Sequence, residues 1–347
     1  MRWTGRLKPI PNKNFNIMII NSNNMLIESP SRRNVVIVAC IFISCLILYG
    51  IVDSLRFLPI SVSGPSSAFP SIFPSVISTT ESLLVSEEYS LEKVLKNAAM
   101  DDNTVILTTL NEAWAAPNSV YCFALVTDGA DFRHEAYFMT TDYLKMTWRR
   151  IDFLCTVLEM GYNFIFTDAD VMWFRNPFPR FYSDADFQIA CDHFLGTSDD
   201  LQNRPNGGFN HVKSNNRSIE FYKFWYSSRE TYPGSHDQDV LNYIKFDPLV
   251  MDIGLKMKFL DTSYFGGLCE PSEDFNVVCT MHANCCFGLD SKLHDLRIML
   301  QDWRSYLSLP PTLKRSLILS WQVPNNCSLD SLHHYDSSST GQPEGKK

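Results

Sequence analysis

The stretch "GYNFIFTDADVMWFRNPF", residues 161–178, runs an apolar strand from Tyr162 to Phe166 straight into two carboxylates, Asp168 and Asp170. It then returns at once to Val171-Met172-Trp173-Phe174. Unpaired carboxylates are costly to bury, so such a pair is expected to have a metal or a base as partner. In open α/β sheets, ligands bind beyond the carboxyl ends of strands. Two oxygen donors one residue apart suit a hard cation that also holds a diphosphate. A bare D-x-D is a weak signal, because acidic pairs are usually solvated loops. Its placement after a strand, with apolar residues resuming behind it, makes the signal specific.

Outward from this stretch, short apolar runs alternate with helical periods. "TVILTTL" (104–110), "YCFALVT" (121–127) and "FQIAC" (187–191) read as buried strands. Residues 142–160 read as a helix, with Leu144, Trp148, Ile151, Leu154, Cys155 and Leu158 spaced by three and four and Gly161 as its stop. "SIEFYKFWYSSRE" (218–230) and "QDVLNYIK" (238–245) are also helical in pattern. The expected fold class is therefore α/β, with a largely parallel sheet buried on both faces. One place breaks the pattern. Between "VILTT" and "FALVT" lie about a dozen residues that include Pro117, and a parallel crossover usually needs a helix of at least that length. Either these strands are not adjacent parallel neighbours, or a unit is missing.

Other polar clusters compete for the site. Asp184-Ala185-Asp186 repeats the D-x-D letters but precedes its strand, so it is expected to be solvated at the opposite edge. Asp192 follows that strand at the productive edge. "RPNGGFN" (204–210) holds Asn206, Gly207 and Gly208, which allow close backbone approach to a ligand or form a plain turn. "HDQDVLN" (236–242) opens a helix with His236, Asp237, Gln238 and Asp239, more side chains than capping alone requires. "MHANCCFGLDSK" (281–292) offers His282 as a third metal ligand and Lys292 as a phosphate contact. Cys285 and Cys286 lack a second Cys/His pair at zinc spacing, and disulfides are the better reading.

The net charge of −8 and the lack of a long basic patch disfavour nucleic acid as a partner. Residues 35–52 carry no charge, which is the short end of a membrane-spanning helix. The preceding 1–34 is rich in Arg and Lys, which predicts a cytosolic tail, a type II anchor at 35–52 and a luminal remainder. A Pro/Ser-rich stem (53–90) precedes the folded domain (91–322), and a polar, disordered tail (323–347) follows it. A short span favours early-secretory membranes. Eight of the cysteines fall in the luminal part, where disulfides form, and Asn216 and Asn326 head two glycosylation sequons.

Five motifs in order, "TWRRIDFL…GYNFIFTDADVMWFRNPF", "NGGFNHVKSNNRSIEFYKFWY", "HDQDVLN", "FLDTSYFGGLCEPSEDFN" and "CTMHANCCFGLDSKLHDL", resemble the plant nucleotide-diphospho-sugar transferase family over about residues 92–310. That family includes arabinosyltransferases and xylosyltransferases of the cell wall. The resemblance implies a type A glycosyltransferase fold with a Rossmann-like sheet, manganese (or magnesium) as cofactor, a nucleotide-sugar donor and Golgi membrane topology. Carried over by position, Asp168, Asp170 and His282 would hold the metal, and Lys292 the diphosphate. Arg150, Asp192, Asn206, Gly208 and Asp237 would surround the donor sugar, and Gln238 would sit beneath the anomeric carbon of a retaining enzyme. Arg149 is an alternative to Arg150 if the helix register shifts by one. The chain departs from the family where Ser119 joins Val120 directly. Family members have a helix, a strand and a further helix there, so one helix–strand unit of the nucleotide-binding half is absent.

Two functions from different classes follow. The first is transfer of a sugar from a nucleoside diphosphate to a cell-wall polysaccharide or glycoprotein. The second is a catalytically inactive, shortened subunit working through a Golgi protein complex. A phosphatase with a nucleophilic aspartate after a strand is a weaker reading, because position 172 is Met rather than Thr or Val.

Overall fold

Successive residues of a strand point to opposite faces of a sheet, and the apolar runs use both. In a computed structural model we describe residues 15–20, 90–110, 121–125, 138–316 and 319–327. One sheet contains β1 (Phe15–Ile20), β2 (Thr104–Leu110), β3 (Tyr121–Leu125), β4 (Asn163–Thr167), β6 (Phe187–His193), β7 (Arg204–Val212) and β8 (Met257–Phe259), and β5 (Val171–Trp173) lies elsewhere. The order across the sheet is β3-β1-β2-β4-β7-β6-β8. Strands β2, β3, β4, β6 and β8 run one way, and β1 and β7 run the other. The expected α/β sheet is present but mixed: only β2–β4 and β6–β8 pair in parallel, and the other four neighbouring pairs are antiparallel.

Val105, Leu107, Phe164, Phe166, Phe187 and Ile189 pack on one face against Ile151, Leu154 and Leu158 of α2 (Thr141–Glu159) and Tyr222 and Trp225 of α3 (Asn216–Ser228). Their strand neighbours Ile106, Ile165 and Ala190 turn to the other face, where Phe209, Leu260 and Phe265 meet them. Each buried large side chain contributes about 1.5–3 kcal/mol, so both faces anchor the sheet. Thr140 caps α2, and Gly161 ends the turn after it at φ +86°, a conformation that favours glycine.

A second sheet has the order β5-β10-β9, with β9 (Phe265–Gly267) and β10 (Thr280–His282). It hangs from the carboxyl end of β4 and fixes what faces the two aspartates. The helices α4 (Asp237–Ile244), α5 (Pro248–Ile253), α6 (Leu289–Ser308) and α7 (Pro311–Ser316), with the short α1 (Leu91–Ala98) and a 3-10 turn at Phe178–Arg180, complete the described elements.

The structure revises several expectations. Residues 204–212 are a strand rather than a turn, antiparallel to β4 and β6. Pro205 and the Gly207-Gly208 pair disguise it, and the β6–β7 register is irregular there. The folded domain runs past residue 322. Val323 and Cys327 are buried, Cys327 is disulfide-bonded to Cys286, and Asp295 accepts from the N–H groups of Asn325, Asn326 and Cys327.

The short crossover resolves in an unexpected way. β2 and β3 are not adjacent, because β1 lies between them and is antiparallel to both. An N-terminal strand thus takes the place where the resemblance implies a missing unit. This pairing and a membrane span at 35–52 exclude one another, since the span would separate residues 15–20 from a luminal sheet. Residues 35–52, the stem at 53–89, the crossover at 111–120 and the tail beyond 327 lie outside the described residues. Among the described residues, no helix is long and apolar enough to cross a membrane.

The second D-x-D is half misread. Asp184 is exposed as expected, but Asp186 is buried. Its carboxylate accepts from Asn215 Nδ2 (2.8 Å), Arg217 Nε (2.7 Å) and the Lys256 N–H (3.0 Å), tying three segments together. Burial raises the Asp186 pKa, but these donors outweigh it and hold the group below the usual carboxylate range. Its contribution to stability is therefore present above the unfolded pKa and fades as pH falls through the folded one. Asp186→Ala should cost about 2–3 kcal/mol, whereas Asp184→Ala should change stability by less than about 0.5 kcal/mol. Denaturant unfolding of the two variants checks this.

Candidate active site

Main-chain bonds set the two aspartates before any side chain acts. Asp168 follows β4, and its N–H donates to the carbonyl of Gly208 on β7 (2.7 Å). The β5–β10 register sets His282 opposite Val171, and the Ala283 N–H donates to the Asp170 carbonyl (3.1 Å). As a result, His282 Nε2 lies 3.1 Å from Asp170 Oδ1 and 3.9 Å from Asp168 Oδ2. One ligand atom each from Asp168, Asp170 and His282 lies within 4.8 Å of the others. Lys292, in the first turn of α6, places Nζ 2.6 Å from Asp170 Oδ2.

This set fits a divalent cation. Two carboxylates and an imidazole converge, and carboxylates suit manganese or magnesium. Gly208 lines the same cradle. A Cβ there would lie 2.4 Å from His282 Cε1 and 2.7 Å from Asp168 Oδ2, so only glycine leaves the space open. A second cluster, Asp192 with Cys269 and Cys285, does not fit a metal, because the two cysteines form a disulfide and offer no thiolate.

The sugar-binding candidates form a connected network beside the cation cradle. Arg150 on α2 is buried, and it donates from Nη1 to Asp168 Oδ1 (3.1 Å) and from Nη2 to Asp237 Oδ2 (2.5 Å). It also lies over the Phe166 ring at 4.8 Å. Arg149 pairs with Asp152, so Arg150 is the one of the two that faces this network. Gln238 in the first turn of α4 accepts from the Gly207 N–H (2.9 Å) and donates to Asp192 Oδ2 (2.9 Å). Asn206 Nδ2 donates to Asp192 Oδ1 (2.7 Å). Thus Asp168, Asp170, Arg150, Asp192, Asn206, Gly208, Asp237, Gln238, His282 and Lys292 all gather at one end of the sheet.

Two residues at this end escaped the sequence reading. Asn284 also donates to Asp192 Oδ1 (2.8 Å). Tyr143 on α2 sits close enough to Asp237 and Asp168 for their charge to act on it. Asn284 carries no motif of its own beyond its place two residues after His282. Tyr143 reads as one more aromatic on a helix.

Burial and neighbours divide the aspartates. Burial raises the Asp168 pKa, and repulsion from Asp170 adds to this against the pull of Arg150. Burial also works on Asp170, but His282 and Lys292 outweigh it and hold Asp170 well below the usual carboxylate range. Burial disfavours charge on Arg150 and on Asp237, yet each keeps the other ionised. Burial lowers the His282 pKa, but Asp170 and Asp168 outweigh it and raise the value above that of free imidazole. The protonated ring therefore stabilises the metal-free fold below its unfolded pKa, and that contribution is lost as pH rises through the raised one. A cation needs the neutral ring, so metal affinity should rise over the same window. Manganese titrated by calorimetry between about pH 6 and pH 8 should bind up to tenfold more tightly per pH unit. An affinity independent of pH would remove His282 from the ligand set.

Comparison with known proteins gives the family. The profile of the Nucleotide-diphospho-sugar transferase family matches residues 98–296, more than half of the 347-residue chain. An uncharacterised protein of Arabidopsis thaliana is 46% identical over 277 residues, covering 68% of this chain and 73% of its own length. A UDP-D-xylose:L-fucose alpha-1,3-D-xylosyltransferase 3 of the same plant is 22% identical over 60% of this chain and 58% of its own. Among solved structures, a glycosyltransferase involved in glycosylation of the major capsid of PBCV-1 is 14% identical, with a TM-score of 0.35 over 47% of this chain and 81% of its own. With the profile covering more than half of the chain and every residue of the cation cradle and the network beside it, the chain belongs to the Nucleotide-diphospho-sugar transferase family.

Proposed function

We propose that this chain is a metal-dependent, retaining glycosyltransferase that moves a sugar from a nucleoside diphosphate to a cell-wall polysaccharide or glycoprotein. The observation that carries this reading is the convergence of Asp168, Asp170 and His282 beside Lys292 and the Arg150–Asp237–Gln238–Asp192 network. Relatives named for UDP-D-xylose make a uridine diphosphate pentose the first donor to try.

The residues divide the work by charge. Asp168, Asp170 and His282 would hold manganese or magnesium, which when bound neutralises charge on the departing diphosphate. Lys292 lies at the rim of that cradle and offers the diphosphate a cationic hydrogen bond. Arg150 cannot lose its proton, so it holds Asp237 and Asp168 in fixed positions. Asp192 and Asn206 offer an acceptor and an amide to sugar hydroxyls. Gln238 Oε1 keeps a lone-pair site beyond the bond from Gly207 and could face the donor sugar.

The proposed location is the Golgi membrane, with the described domain in the lumen. The uncharged run at 35–52 and the disulfides Cys269–Cys285 and Cys286–Cys327 support it. The pairing of β1 with the sheet opposes this location, because a span at 35–52 would leave residues 15–20 on the cytosolic side. The inactive-subunit reading draws on the shortened crossover, which alters the nucleotide-binding half of the sheet.

The two readings part in a transfer assay with manganese and UDP-xylose. Asp170→Ala should lower kcat/KM by at least about 100-fold. Gln238→Ala should lower kcat more than it raises KM. Wild-type chain that folds yet neither hydrolyses nor transfers any nucleotide sugar, with manganese present, would support the non-catalytic reading instead.

A further inference from the structure

The acids of the candidate site are balanced in two different ways. Asp168 and Asp237 lean on Arg150, and Asp170 leans on His282 and Lys292. Asp192 has no ion pair among the described residues. Three neutral amides hold it instead, from three separate elements: Asn206 on β7, Gln238 on α4 and Asn284 in the loop after β10. A carboxylate held by amides keeps its charge uncancelled, which suits an acceptor for hydroxyl groups.

The amides also decide which oxygen is left. Each carboxylate oxygen offers about two lone-pair sites. Asn206 and Asn284 both donate to Oδ1, at 2.7 and 2.8 Å. Gln238 alone donates to Oδ2, at 2.9 Å. The remaining site is therefore on Oδ2.

Asn284 is itself locked. Its Oδ1 accepts from the Cys269 N–H (3.2 Å). Its amide lies flat on Gly267 of β9, where a Cβ would come within 2.3 Å of Oδ1 and 2.7 Å of Nδ2. Cys285, at φ +50°, is joined to Cys269, and Cys286 is joined to Cys327. The Cys269 sulfur also touches Asp192 Oδ1 at 3.4 Å, but as part of a disulfide it has no proton to give. One short stretch thus carries a cation ligand, His282, and the amide that fixes the sugar-side acid. Two disulfides staple it at adjacent residues.

We propose that Asn284, held by the Cys269–Cys285 disulfide, is a positioning residue for the donor sugar. It occupies Asp192 Oδ1 and so leaves Oδ2 to accept a sugar hydroxyl. This inference rests on the donor-binding reading above and adds to it a residue and a staple outside the nucleotide–metal contacts.

The test compares two affinities on the full chain in the presence of manganese: UDP, which has no sugar, and UDP-xylose. Asn284→Ala should leave UDP affinity within about twofold of wild type and weaken UDP-xylose by about tenfold, the loss of one well-placed hydrogen bond to a charged group. The double variant Cys269→Ser/Cys285→Ser should show the same selective loss, and adding Asn284→Ala to it should cost little more, because the two act through one element. The double variant also serves if Asn284→Ala does not fold. Equal weakening of both ligands, or no change in their ratio, would overturn the positioning role while leaving the glycosyltransferase reading intact. Failure of the wild-type chain to bind UDP with manganese would overturn that reading, and this inference with it.

Discussion

Two carboxylates separated by one residue repel each other, and burial makes the repulsion worse. Asp168 and Asp170 stand in that position at the end of β4, and most of what surrounds them compensates. Arg150 reaches Asp168 from α2, and His282 and Lys292 reach Asp170 from β10 and α6. The result is asymmetric, with Asp168 pushed up in pKa and Asp170 pulled down. Groups whose environments push their pKa values apart gather at functional sites more often than elsewhere.

The fold delivers these groups through two sheets rather than one. The large sheet ends in the aspartates, and its helices bring Arg150, Asp237 and Gln238 to the same edge. The small sheet does a separate job. Its β5–β10 pairing carries His282 across to Asp170, and Gly267 of β9 lets Asn284 lie close behind. The disulfides Cys269–Cys285 and Cys286–Cys327 cross-link the chain beside this layer. β5, β9 and β10 are three residues each, at the short end for strands.

Much of this was legible in the sequence, for definite reasons. The helix over 141–159 and strands β2, β4 and β6 follow from periodicity, because each buries a face or lies buried on both. Asp168, Asp170, His282 and Lys292 follow from strand-end placement and motif order. β7 was not legible, because Pro205, Gly207 and Gly208 look like a turn when the purpose of the glycines is close approach within a strand. Asp186 looked solvated because its three partners, Asn215, Arg217 and Lys256, come from segments distant in sequence. β1 offered only five apolar residues and Asn16 in a polar tail, and nothing local says which sheet they join. Asn284 was hidden for the same reason as Asp186: its importance lies in a partner ninety-two residues away.

The central claim is that Asp168, Asp170 and His282 grip a divalent ion that grips a diphosphate. Anomalous diffraction from a crystal soaked with manganese and UDP tests it most directly. The expected result is a single strong anomalous peak bonded to all three side chains and to the diphosphate, with Lys292 turned onto a phosphate oxygen. A manganese peak elsewhere, or a diphosphate bound away from these residues with Asp170 still paired to His282 and Lys292, would contradict it.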